Sequence, residues 1–210
     1  MTPTESAAAK PQLITPTFVL AWVANFCQFL VFYLFVTTMA LYAVESFGAS
    51  DTVGGFASSA FVLGATCMRV FSGWIVDRVG HKKAALTSLA FVTLVAVAYF
   101  FAHNVAVLII VRMVHGAGYA LTSTALMAVA QSVIPHERRA EGTGYFALGT
   151  TLATAFGPAI GLLLANNIGY TTLFAAALGA NIVSLILALV LRYPAEVSSE
   201  KPAFKLRNAV

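Results

Sequence analysis

Charge is scarce in this sequence. Only 10% of its 210 residues are Asp, Glu, Lys or Arg, where a soluble domain carries about 25%. Hydrophobic residues make up 60%, and the mean hydropathy is +0.86. So little polar surface excludes a water-soluble globule and places the chain in the membrane class. Cysteine is scarce too. Cys27 and Cys67 both sit inside apolar runs, with no Cys-x-x-Cys pair and no histidine cluster beside them. They read as small packing residues, and no metal site is expected. There is no Walker loop, no Gly-x-Ser-x-Gly and no pair of carboxylates within an apolar run. An enzyme is therefore not expected, and no cofactor is implied. Alternation in segments of about ten residues is absent, which excludes a membrane β-barrel. No cleavable signal is expected, because residues 1–16 are polar and mixed and the first apolar run is too long.

What is present is six continuous apolar runs, each long enough to cross a hydrocarbon core of about 30 Å as a helix. They cover residues 17–43, 52–76, 84–102, 105–133, 142–165 and 170–191. The expected fold is an all-α transmembrane six-helix bundle over residues 17–192. An N-terminal tail (1–16) and a basic C-terminal tail (193–210) flank it. Between the second and third runs lies a charged knot, Gly73 to Lys83. A second charged turn runs from Pro135 to Glu141.

The basic residues orient the zigzag. Lys10, Arg78, Lys82, Lys83, Arg138, Arg139, Arg192, Lys201, Lys205 and Arg207 all fall on one side. The turns on the other side hold Glu45, Asp51 and His103, with no Lys or Arg. The positive-inside rule then predicts a multi-pass protein with both termini cytoplasmic. The net charge of +4 is accounted for in this way, so a nucleic-acid partner is not expected. A weak internal repeat supports the arrangement. A shift of 89 residues pairs Gly55 with Gly144, Leu63 with Leu152, Gly80 with Gly169 and Leu89 with Leu178. Three spans is an odd number, so the two units cross in opposite directions, an inverted repeat of the kind found in transporters.

Several motifs carry chemistry. Gly73, Asp77, Arg78, Gly80 and Lys82 resemble the signature loop between the second and third helices of the major facilitator superfamily; His81 and Ala85 depart from it. Gly73 is expected to let two helices approach closely, and Gly80 to take a positive φ. Asp77 is expected to accept from an arginine or cap a helix. Leu108, Arg112, His115, Gly116, Gly118 and Ala120 resemble the fourth-helix motif of the same family. His115 stands there for a glutamine and Tyr119 for an alanine. An arginine inside a span is costly unless it meets water or acceptors, and His115 is the titratable group beside it. Gly144, Ala153, Gly157, Pro158 and Gly161 resemble the fifth-helix antiporter motif, with Ala153 and Leu162 departing. Pro158 is expected to bend that helix.

The resemblance covers essentially the whole chain and one half of the family's 12-helix fold. It implies the N-terminal six-helix bundle of a drug:proton antiporter in the plasma membrane. Alternating access would move a small-molecule substrate, with lipid and a missing second six-helix bundle as partners. Asn25, Gln28, Arg112, His115 and Tyr119 would serve the transport cavity and coupling. Gly73, Asp77, Arg78, Gly80 and Lys82 would form the gating loop, and Gly144, Gly157, Pro158 and Gly161 the helix bend. The basic tail would begin the central loop. Such exporters often carry an acid in the first span; here Asn25 and Gln28 occupy that face. A local charge network of Arg69 with Asp77 is expected. The alternatives are a self-pairing half-transporter and a non-transporting membrane scaffold or assembly factor.

Overall fold

In a computed structural model, residues 11–193 are described. They form six long helices whose ends are set by local chemistry. Helix α1 (Pro16–Phe47) starts where Thr15 Oγ1 accepts from the Phe18 N–H at 3.1 Å, with Pro16 in its first turn. It stops at Gly48, whose φ of +62° sends its N–H back to the Val44 carbonyl and that of Ala49 to Ala43. Helix α2 (Asp51–Val79) is capped by Ser50. Gly80, with φ +94°, turns the chain into α3 (His81–Ala98), which closes with one 3-10 turn, Tyr99–Phe101. Asn104 Oδ1 caps α4 (Val105–Val133) at 2.9 Å. A 3-10 turn, His136–Arg138, precedes α5 (Arg139–Asn167). Gly169, with φ +112°, then leads into α6 (Tyr170–Val190).

All six elements are long and apolar enough to span a bilayer. The 32 residues of α1 reach about 48 Å at 1.5 Å per residue. The helices overrun the apolar runs that announced them. Lys82 and Lys83 lie in the first turn of α3, and Glu45 in the last turn of α1. Charge does not end a helix, since Lys and Glu are good helix formers; the positive φ at Gly48 and Gly80 does.

The packing has an internal exchange symmetry. Helix α2 lies mainly on α4, and α5 on α1; α3 touches α4 as α6 touches α1. Two inverted three-helix units packed about a pseudo-twofold axis give this pattern. Gly80 and Gly169, 89 positions apart, make the same positive-φ turn in each unit. Two crossings are close because they lack Cβ atoms. A Cβ on Gly64 would run into the Met113 carbonyl, and one on Gly116 into that of Phe61. Gly157 and Gly161 meet Tyr33 and Leu34 of α1 in the same way. Gly118 faces Phe91 and Val92 of α3.

Gly73 and Gly144 are different. Nothing lies within 4 Å of a Cβ at either position. The close approach expected at Gly73 is thus not made within this bundle, because that side of α2 faces outward. Helix α5 runs unbroken through Pro158. Phe35, Tyr99 and Phe174 pack together in the core with centroids 4.9 to 6.0 Å apart. Leu94, Ile110, Leu163 and Leu189 point outward, each 60 to 70% exposed, a surface suited to lipid.

Candidate functional site

Two polar regions form inside the apolar helices, and they differ in kind. The first is closed. Arg112 on α4 is 0% exposed. Its Nη2 donates to the Ser58 carbonyl at 2.9 Å and its Nε to that of Ala57 at 3.4 Å. Its guanidinium lies over Phe61 at 4.8 Å and Phe35 at 5.8 Å. Nη1 has no hydrogen-bond partner. The charge is therefore met by helix carbonyls and ring faces and is only partly satisfied. One turn on, the His115 Nδ1 pairs with the Tyr99 hydroxyl at 3.0 Å, both buried.

Asn25 and Gln28 are 2% exposed. Gln28 Nε2 donates to Asn181 Oδ1 at 3.0 Å, Asn181 Nδ2 to the Ala177 carbonyl, and Ser184 Oγ to the Ala24 carbonyl at 2.9 Å. The first and third of these bonds seam α1 to α6, while the second holds Asn181 against its own helix. Asn25, Gln28, Arg112 and His115, expected to serve the transport cavity and coupling, are all enclosed between helices within this bundle. In nearly dry surroundings Gln28, Arg112 and His115 turn to the polar groups of neighbouring helices, while Asn25 Oδ1 is left without a partner.

The second region is open. A pocket of about 440 Å³ lies between α1, α2 and α4, walled by Phe32, Phe61, Ala65, Thr66, Arg69 and Tyr119. Tyr119 is the one residue of the expected cavity set that reaches it. Arg69 is exposed, and its Nη1 donates to Ser123 Oγ at 3.3 Å. The expected network with Asp77 does not form. Among the described residues the ion pair is Arg138 with Glu141, at 2.7 Å. Asp77 lies eight positions after Arg69, a rise of about 12 Å.

At the charged end of α2, Asp77 is exposed, and α3 begins at Gly80 without a side-chain cap. The capping role expected of Asp77 is thus not taken up. The basic groups instead cover aromatic faces: Arg78 lies over Trp74 at 5.5 Å and Lys82 over Tyr193 at 5.7 Å. Burial pushes the Tyr193 phenol up to about 12, and its hydroxyl donates to the Ala188 carbonyl at 3.0 Å. On α5, Gly157 and Gly161 pack against α1, Pro158 lies between them, and Gly144 faces open space. Lys10, Lys201, Lys205 and Arg207, and the basic tail beyond residue 193, lie outside the described residues.

The sequence reading missed Tyr99, Asn181 and Ser123. Asn181 had a signal, a lone amide amid apolar residues of a span. Tyr99 and Ser123 had none, since Tyr, Ser and Thr are scattered along every helix.

Comparison with known proteins gives consistent relatives. The Major Facilitator Superfamily profile matches residues 21–209. An uncharacterised protein of Mycobacterium tuberculosis is 32% identical over 124 residues, 59% of this chain and 29% of its own length. The staphylopine export protein of Staphylococcus aureus is 31% identical over 123 residues, 58% of this chain and 31% of its own. The multi-drug resistance efflux pump PmrA of Streptococcus pneumoniae is 30% identical over 161 residues, 74% of this chain and 39% of its own. The chain spans only 29 to 39% of the length of these relatives. With six spanning helices, a pseudo-twofold pair of three-helix units and a profile match over nearly its whole length, the chain belongs to the Major Facilitator Superfamily.

Proposed function

We propose that this bundle is the N-terminal half of a secondary active transporter that exports small solutes across the cell membrane. Export would proceed by proton-coupled alternating access, with both termini cytoplasmic. A second six-helix bundle completes the path, and the two rock about a site near the midplane. The observation that carries the reading is the family match, joined to relatives whose names specify export or efflux. Two features support it. The pocket opens on the side of the bundle formed by α1, α2 and α4. Gly73 and Gly144 leave smooth, uncovered helix surface where another bundle can pack. In this reading Arg112 and His115 form a buried coupling element, Tyr119 borders the substrate path, and the Asp77–Lys82 segment gates the inner mouth.

The test is gradient-driven export. The full natural protein that carries these residues is reconstituted into vesicles preloaded with a library of small organic solutes, and a proton gradient is imposed. Mass spectrometry of the exterior should find particular solutes leaving only when the gradient is present. If none leaves, the protein is no exporter, and a scaffold role takes its place.

A further inference from the structure

We propose that the pocket between α1, α2 and α4 selects amphiphilic organic anions, the acid group on Arg69 and the apolar body against Phe32 and Phe61. Arg69 lies deep in its span. It stands 18 residues after Asp51 and 10 before Val79, about 27 and 15 Å along the helix. A guanidinium within an apolar span is costly unless water or acceptors meet its charge. Arg112 meets the same problem with two backbone carbonyls and two ring faces. Arg69 has one hydroxyl, that of Ser123. A guanidinium offers five N–H groups in a planar fork that suits a carboxylate or sulfonate. No carboxylate among the described residues forms an ion pair with it.

The walls point to the rest of the ligand. Phe32, Phe61 and Tyr119 form a preassembled aromatic cluster, with centroids 5.1 to 5.8 Å apart. Thr66 adds a hydroxyl. The volume of about 440 Å³ falls in the range of small-molecule sites, about 300–1,000 Å³. No acid lines the pocket, so an organic cation could gain from the aromatic faces but would be opposed by Arg69, whereas an anion would be drawn to it. The substrate class therefore rests on the transporter reading, but the binding chemistry is argued from the pocket itself.

Binding needs no gradient, which separates the two ideas. The full natural protein in lipid nanodiscs is titrated with tritiated naphthalene-2-sulfonate, naphthalene-2-methanol and 2-naphthylmethylammonium. The sulfonate is expected to bind at least about tenfold tighter than the other two. Arg69→Gln should erase that preference, and Arg69→Lys should keep part of it. Val62 also lines the pocket and is half exposed, so Val62→Trp fills it without touching charge and should abolish binding. The proposal fails if the ammonium binds as well as the sulfonate, if no probe binds, or if Arg69→Gln binds the sulfonate like the parent. In the last case Arg69 serves another part of the protein. Should Arg69→Gln not fold, undiminished binding in Val62→Trp overturns the proposal equally. A protein that binds the sulfonate yet exports nothing sinks the transporter reading alone. One that exports other solutes and ignores the sulfonate sinks this inference alone.

Discussion

Arg112 and Arg69 answer one physical problem in two ways. Both are guanidinium groups within apolar helices. Arg112 is fully buried and held by the carbonyls of Ala57 and Ser58. Arg69 stands in the wall of an open pocket. A buried charge that is only partly satisfied contributes little to stability, because its partners do not repay the cost of removing it from water. Arg112→Met is therefore expected to leave the melting temperature in nanodiscs unchanged or raised. Proton-driven solute loss from vesicles should fall about tenfold or more. A large drop in melting temperature would instead mark Arg112 as structural. The sequence located both arginines, since a charge in a span is conspicuous. It did not tell them apart, because the acceptors of Arg112 come from α2, more than 50 residues away.

Among the helices, the glycines separate packing from open surface. At Gly116 an added methyl group meets the Phe61 backbone, which moves only if α2 and α4 part. At Gly144 it meets nothing. Gly116→Ala is expected to cost about 1–3 kcal/mol, the usual range for overpacking. Within this six-helix bundle by itself, Gly144→Ala should be neutral or stabilising by about 0.5–1 kcal/mol, the helix-interior cost of glycine. Thermal unfolding of the two variants by circular dichroism checks the contrast; equal melting temperatures would contradict the α2–α4 crossing. The number and order of helices were legible in the apolar runs. Their ends were not, because Lys82, Lys83 and Glu45 continue helices that composition alone would stop. The motif at the turn between α2 and α3 was legible as a pattern. The consequence of its Asp77 was not, because Asp77 has neither a cap nor an ion pair within this bundle.

For the molecule as a whole, the asymmetry of charge makes the testable claim. Arg78, Lys82 and Lys83 share one end of the bundle with Arg138 and Arg139, while Glu45, Asp51 and His103 share the other. Cys67 is exposed on α2 and Cys27 is buried, so a Cys67→Ala background provides a clean start for labelling. In that background Lys82→Cys should resist a membrane-impermeant maleimide in intact cells and react after permeabilisation. His103→Cys should react in both. The reverse pattern would invert the topology and remove the cytoplasmic assignment of the termini. Order of residues alone was enough for a six-span membrane protein and for its inverted halves. A bilayer demands about 20 apolar residues per crossing, and the turns between them stand out by charge. Which face of each helix looks inward came only from packing. In a soluble helix a polar stripe marks the outside; here lipid and core are equally apolar, so both faces are written in the same residues. Asn25, Gln28, Arg112 and His115 thus gave no sign of being enclosed, nor Arg69 of being open, until six helices had been laid against one another.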